Sequence, residues 1–135
     1  MREILFRGKN PVSDEWAYGS LILEKNAFDE RLILAIISDA DGNETLVNPE
    51  TISQYTGLTD KNGTRIFEGD ILEGDLDDNL DPGAKWRSTI VMGKFGWLAD
   101  DPTGTNPTPL DEFDIKEGEV IGNIHDNPEL MEVER

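Results

Sequence analysis

Cysteine is absent from the sequence, and histidine occurs only once, as His125. Without thiols the chain cannot form disulfides, a thiolate nucleophile or a Cys-ligated zinc site. One histidine leaves a single side chain that ordinarily titrates near neutral pH, and the serines lie outside any Gly-x-Ser-x-Gly nucleophile elbow. We therefore predict no catalytic residue and no cofactor, and we interpret the chain as non-enzymatic.

Long apolar runs are absent as well. No stretch approaches the roughly 20 apolar residues of a membrane-spanning helix. The opening residues "MREILFRGKNP" become charged and polar at once, unlike a signal peptide. We expect a cytoplasmic location and no membrane partner.

Basic residues are few. The chain has 12 Lys and Arg against 29 Asp and Glu, which gives a formal net charge of −17 over 135 residues. This charge repels phosphate backbones and anionic membranes, so we expect no nucleic-acid partner. The excess carboxylates either keep the protein soluble or favour a cationic or DNA-binding protein as partner.

Short strands separated by turns dominate the sequence. Asn-Pro pairs, which break regular structure, begin at Asn10, Asn48, Asn106 and Asn127. Runs of β-branched, aromatic and other apolar residues lie between them and predict strands. These runs are Glu3–Arg7, Trp16–Glu24, Arg31–Ser38 and the two halves of Trp86–Ala99 around Gly93–Gly96. We predict a mainly β fold.

The segment Gln54–Leu72, "QYTGLTDKNGTRIFEGDIL", combines several turn signals. The "DKNG" at 60–63 suits a hairpin turn, because Asn and Gly tolerate positive φ. Gly69-Asp70 interrupts the returning strand and indicates a bulge or a sharp bend, of the kind found at the corners of small barrels. Upstream, Asn48-Pro49 predicts either a single helical turn or a strand.

Two stretches poor in apolar residues, 73–85 and 100–109, are predicted to be exposed loops. Residues 111–125, "DEFDIKEGEVIGNIH", are expected to end the sheet. Asn127, Pro128 and Glu129 supply a cap, a first-turn proline and an acidic first turn. They predict a short C-terminal helix over 128–134.

The stretch Asp39–Glu50 partly fits a twelve-residue calcium loop. The candidate metal ligands, at loop positions one, three, five and twelve, are Asp39, Asp41, Asn43 and Glu50. However, the sixth position, where the sharp turn needs glycine, holds Glu44. We favour a hairpin turn here and a solvated loop at 73–85, and we predict no bound metal.

Three blocks of the sequence together resemble the YopX family of phage and prophage proteins. They are "REILFRG" at 2–8, the segment Gln54–Leu72 and "EVIGNIHDNPELME" at 119–132, where His125 departs from the usual aromatic residue. The resemblance implies an all-β fold with an SH3-like barrel portion, a tendency to oligomerise and no assigned biochemical role. The residues that carry it are turn and core types: Tyr55, Gly57, Gly63, Gly69, Asp70, Gly122, Asn123 and Pro128.

We accordingly expect one YopX-like domain over residues 1–135, with an N-terminal β subdomain at about 1–50 and a barrel-like subdomain at about 51–126. The leading hypothesis is a phage accessory protein of unassigned role. It is a non-enzymatic, homo-oligomeric module that contacts itself and a host or phage protein. One alternative is an acidic DNA mimic that inhibits a host DNA-binding protein, and another is a divalent-metal-dependent protein.

Overall fold

The computed structural model describes residues 3–76, 82–101 and 107–132. The described residues form two antiparallel sheets and one short α-helix, which confirms the predicted mainly β fold. The strands are β1 Phe6–Lys9, β2 Trp16–Lys25, β3 Ile33–Ser38, β4 Glu44–Val47, β5 Ser53–Thr59, β6 Arg65–Phe67, β7 Asp70–Asp75, β8 Lys85–Met92, β9 Trp97–Asp100, β10 Thr108–Pro109 and β11 Glu119–Asn123. The helix is α1 Glu112–Glu117, and single 3-10 turns lie at Pro49–Thr51 and Pro128–Met131. Nowhere in these ranges is a helix long and apolar enough to cross a membrane.

Two compact units divide the chain, Met1–Tyr55 and Thr56–Arg135, and the boundary lies inside β5. In the first unit the strand order is β4-β3-β2-β1-β5 with antiparallel pairing throughout. Because alternate residues of a strand face the same side, one face of this sheet collects the apolar core. The buried core residues are Ala35, Ile37 and Val47, with Phe6, Ala17, Leu21 and Ile52 packed against them.

The second unit has its own sheet, in the order β10-β9-β8-β7-β11. The second half of β5 lies beside β6, and there the Thr56 hydroxyl donates a hydrogen bond to the Ile66 carbonyl at 2.7 Å. The fully buried centre of this unit is Ile66, Leu72 and Ile90. Around it pack Leu58, Trp86, Trp97, Leu110, Ile115 and Val120.

The turns of Gln54–Leu72 form as predicted. The Gly63 amide donates to the Asp60 carbonyl at 3.0 Å and closes the hairpin between β5 and β6. Gly69 joins β6 to β7 with φ of +85°, a left-handed conformation that favours glycine. The predicted sharp bend at this position is therefore confirmed. Upstream, Pro49–Thr51 is a single 3-10 turn, and the Asn48 side chain accepts from the Glu50 amide at 3.1 Å.

Both sheets end in edge strands. β4 ends the sheet of the first unit, and β10 and β11 end the sheet of the second. Within the described ranges the strands close no barrel. The SH3-like barrel portion therefore stays a prediction.

The loop predicted at 73–85 is wrong at both ends. Residues 73–75 belong to β7 and Lys85 to β8, because the two strands pair over these residues. The Arg87 guanidinium also donates to Glu73 at 2.7 Å, and the Trp86 ring lies against Gly74. A Cβ atom at Gly74 would come within 2.4 Å of that ring, so the close contact requires glycine. Residues 77–81 lie outside the described part of the chain.

The C-terminal part differs from the prediction in two places. Residues 112–117, expected to belong to the sheet region, form α1 because Asp111 and Asp114 make a reciprocal capping box. The predicted helix after Asn127 is a single 3-10 turn, since the Asn127 side chain accepts from the Asn123 amide instead of capping a helix. Residues 102–106 and 133–135 fall outside the described ranges.

Candidate interaction surface

An arm formed by β2 and β3 extends from the sheet of the first unit. β1 pairs with β2 only at residues 16–19, and β4 pairs with β3 only at residues 35–38. β2 nevertheless continues to Lys25 and β3 starts at Ile33. We call residues 20–34 the arm. Over 20–25, β2 is paired only with β3 among the described strands, so its other edge is open.

The turn of the arm, residues 26–32, is held by side chains that bond to the backbone. The Asn26 side chain accepts from the Phe28 amide at 2.8 Å, and Asp29 accepts from the Arg31 amide at 3.0 Å. The Asn26 amide donates to the Leu32 carbonyl at 2.9 Å. These bonds hold the turn in one shape while the Phe28 side chain is 100% exposed. Because the backbone of this turn is already ordered, a partner that binds Phe28 pays little backbone entropy.

Apolar side chains cover both faces of the arm. On the face that continues the core, Leu23 and Ile33 are 59% and 55% exposed. On the opposite face Leu34 is exposed, and Ile22, Ile36 and Leu46 stand in one row because their backbones are directly paired across β2, β3 and β4. Phe28 can bury roughly 150–250 Å² by itself, and clustered exposed apolar side chains of this kind are typical of interaction sites.

Charge is unevenly distributed between the two units. Residues 1–55 hold ten acidic and five basic side chains, a net charge of −5, and residues 56–135 hold nineteen and seven, a net charge of −12. The arm thus belongs to the less charged unit. Electrostatic repulsion between two copies of the chain is weaker there than at the second unit.

The predicted metal ligands do not converge. The Asp39 carboxylate accepts from the Asn43 amide at 2.9 Å and from the Asn43 side chain at 3.1 Å, and it closes the hairpin between β3 and β4. These two bonds hold the pKa of Asp39 below its ordinary value. Asp41 is exposed in the same turn, whereas Glu50 lies beyond β4, whose four residues span about 13 Å at ~3.3 Å each. In the part of the chain that the structure describes, no group of three His, Asp or Glu side chains is placed to hold a metal ion.

The residues that carried the family resemblance lie in turns or make structural bonds. Gly57 and Gly63 have φ of +86° and +81°, and Asp70 accepts from the Phe67 amide at 2.7 Å. The Tyr55 amide donates to the Leu5 carbonyl at 2.8 Å. A Cβ atom at Gly122 would meet the Asn127 side chain at 2.4 Å, and Pro128 opens the last 3-10 turn. These residues shape the scaffold.

Asn123 is the centre of the turn before that last 3-10 turn. Its side-chain oxygen accepts from the His125 amide at 3.0 Å and from the Asp126 amide at 2.9 Å. Its side-chain nitrogen donates to the Asp126 carboxylate at 3.0 Å. His125 itself is half-buried in this structural turn. These bonds give this block of the sequence a structural role in the turn.

Two carboxylates lie close together at the start of α1. Burial raises the pKa of Asp114, and the nearby Asp111 carboxylate adds to this effect. A raised carboxyl pKa is one mark of a functional site. Here both side chains cap the helix, each accepting from the other's backbone amide at 3.0 and 3.2 Å. Helix capping therefore explains why the Asp111 and Asp114 carboxylates lie close together.

The turn between β8 and β9 exposes one of its two aromatic residues. Trp97 packs against the core of the second unit. Phe95, however, is 95% exposed, with the Lys94 ammonium 5.7 Å from its ring centre. The turn is closed by the Gly93 amide, which donates to the Gly96 carbonyl at 2.7 Å. Phe95 therefore provides an exposed aromatic side chain in the second unit that can be compared with Phe28.

Sequence reasoning missed the arm as a surface. "WAYGSLILE" and "RLILAIIS" predicted β2 and β3, but apolar runs of this kind suggest buried strands. The sequence feature that could have indicated the arm is the polar turn between these runs. There Phe28 lies between Asn26 and Asp29, and its only apolar neighbour in sequence is Ala27.

Comparisons with known proteins agree with this fold. The family model described as YopX protein matches residues 5–132. The crystal structure of protein EF1440 from Enterococcus faecalis is similar with a TM-score of 0.63 and 24% sequence identity, over 98% of this chain and 100% of that one. At this identity the likeness concerns the fold alone. No curated protein matches the sequence.

Proposed function

Because the chain belongs to the YopX protein family, we propose that it is a non-enzymatic accessory protein of a bacteriophage or prophage that acts through protein contacts. Its first partner is a second copy of itself, in the cytoplasm of the bacterial host. The observation that carries this proposal is the arm, which has apolar side chains on both faces and an open edge. At the outer end of the arm, residues 24–25 pair with residues 33–34 without a third described strand. A two-stranded hairpin is marginally stable in water, so burial against another surface would stabilise it.

The charge of the arm, rather than the charge of the whole chain, allows a second copy to be the partner. At a net charge of −17, the protein disfavours acidic partners and attracts basic ones at long range. The described arm carries Glu24, Asp29 and Glu30 against Lys25 and Arg31, so it is close to neutral. A nearly neutral apolar surface gains little from a cationic partner, and it allows two copies to meet with little local repulsion.

We expect a Leu23→Ala/Phe28→Ala variant to weaken self-association at least tenfold. Burying one such side chain contributes about 1.5–3 kcal/mol, and each 1.4 kcal/mol is a factor of about ten in the dissociation constant. Sedimentation velocity over a range of protein concentrations measures the change. Phe95→Ala is the matched control, since Phe95 is as exposed as Phe28 but lies in the other unit. Equal weakening by the control, or a wild-type protein that stays monomeric at all concentrations, would contradict the proposal.

Salt distinguishes this proposal from the acidic-mimic alternative, which the charge of −12 in residues 56–135 favours. Raising ionic strength from 0.1 to 1 M shortens the screening length from about 10 to about 3 Å. Self-association of two like-charged copies through an apolar surface should therefore strengthen with salt. Binding of a cationic, DNA-binding protein should weaken.

A further inference from the structure

The open edge of β2 defines how two copies meet, if the proposed self-association through the arm holds. We propose that two copies pair antiparallel along this edge, with the two-fold axis at Ile22. The pairing places Ile22 opposite Ile22 of the second copy, Leu21 opposite Leu23, and Ser20 opposite Glu24. It uses residues 20–24 of each chain, the stretch that neither β1 nor β4 pairs with.

The neighbouring registers pair the side chains of the two copies less favourably. Centring the pair on Leu23 places Ile22 opposite Glu24 and Leu21 opposite Lys25. Centring it on Leu21 places Ile22 opposite Ser20 and Leu23 opposite Gly19. Each of these registers leaves Ile22 and one leucine without an apolar partner, whereas apolar pairs directly opposite each other stabilise a sheet. A centre between two residues is excluded, because it would set side chains of opposite faces against each other.

The register at Ile22 also joins existing rows of apolar side chains. Within one copy, Ile22, Ile36 and Leu46 are direct neighbours across three strands. Pairing at Ile22 continues this row into the same three residues of the second copy, which gives an apolar row across six strands. On the other face, the half-buried Leu21 of one copy covers Leu23 of the other, which is 59% exposed in the single chain.

Each arm passes a pocket of the second copy. The register places Lys25 opposite Gly19 of the second copy, where β1 begins to occupy the edge. An open pocket of about 460 Å³ lies there, lined by Ile4, Leu5, residues 18–20 and, from the turn between β3 and β4, residues 38–41. Ile4 is 73% exposed in the single chain. Residues 24–26 of the arm therefore face this pocket, and Ile4 supplies apolar surface beside them.

Single cysteines test the geometry cleanly, because the chain has none of its own. Directly opposed strand residues have Cα atoms about 4.5–5.5 Å apart, within the range of about 4.4–6.8 Å that a disulfide spans. Under mild oxidation, Ile22→Cys should form a covalent dimer on the order of 100-fold faster than Glu24→Cys. That ratio compares a millimolar effective concentration within the pair with chains at about 10 μM. The matched control Leu46→Cys, on the open edge strand β4, should stay slow.

A second variant guards against a folding defect at Ile22, which is half-buried. Ser20→Cys/Glu24→Cys changes two exposed residues that the pairing places opposite each other, and it should cross-link at the Ile22→Cys rate. If sedimentation shows dimers but Leu46→Cys cross-links fastest, or neither β2 variant cross-links, this pairing is wrong while self-association stands. If the wild-type protein stays monomeric at all concentrations, the proposed self-association itself is wrong, and with it the proposed pairing.

Discussion

Replacing Gly69 with valine is expected to lower the free energy of unfolding by about 3 kcal/mol. Gly69 has φ of +85°, a conformation that costs a β-branched residue about 1–3 kcal/mol. A Cβ atom there would also lie 3.4 Å from the Ile124 side chain, so the added methyl groups crowd the second unit. For a chain of 135 residues the melting temperature should fall by roughly 10 °C.

Thermal unfolding of two further variants separates the causes. Gly69→Asn should lose much less stability, because asparagine tolerates the left-handed conformation. Gly42→Val has nearly the same φ, +82°, but nothing lies within 4 Å of its Cβ position, so it reports the backbone strain alone. An unchanged melting temperature for Gly69→Val would show that the chain does not need this bend between β6 and β7.

Replacing Asp60 with alanine is expected to destabilise the second unit by a similar amount, about 3 kcal/mol. Asp60 is 6% exposed, and its carboxylate accepts from the Asn62 and Thr64 amides at 2.9 Å and from the Val120 amide at 2.8 Å. Losing a charged acceptor costs about 1.5–3 kcal/mol for each buried bond, and less where water replaces it. The bond to Val120 ties the β5–β6 hairpin to β11, which lies 60 residues further along the chain.

Asp39→Ala is the matched control for Asp60→Ala, measured by chemical denaturation. Asp39 closes a turn with the same kind of side-chain bonds, but it bonds only within that turn and is more exposed. Water can replace the bonds of Asp39, so Asp39→Ala should lower the free energy of unfolding by clearly less than Asp60→Ala does. Equal losses for the two variants would mean that the Asp60–Val120 bond contributes nothing beyond turn formation.

Local chemistry explains which parts of the fold were predictable. The hairpin at 60–63 and the bend at Gly69 depend on residues adjacent in sequence, and both formed as expected. After Asn48 the structure has the helical turn, one of the two predicted alternatives. α1 was missed because a six-residue helix depends on its capping box and on Ile115 packing into a distant core. The arm was missed because it exists only where β1 and β4 stop pairing, which is a non-local property.

Exposure explains why the candidate surface was harder to predict than the fold. In β3, Ala35 and Ile37 are buried while Ile33 and Leu34 are exposed, although all four belong to one apolar run. The sequence pattern shows that the run is a strand. How far neighbouring strands cover it depends on their lengths and register, and these residues alone do not determine either.

Hydrogen–deuterium exchange at low and high protein concentration tests the central claim most directly, because it reports association and its location together. If two copies meet through the arm, the backbone amides of residues 20–34 should gain protection as concentration rises, since the open edge of β2 becomes paired or covered. Residues 92–97, the exposed turn with Phe95, should exchange equally at both concentrations. Exchange of the arm that stays the same at all concentrations, or protection that appears at residues 92–97 instead, would contradict the account.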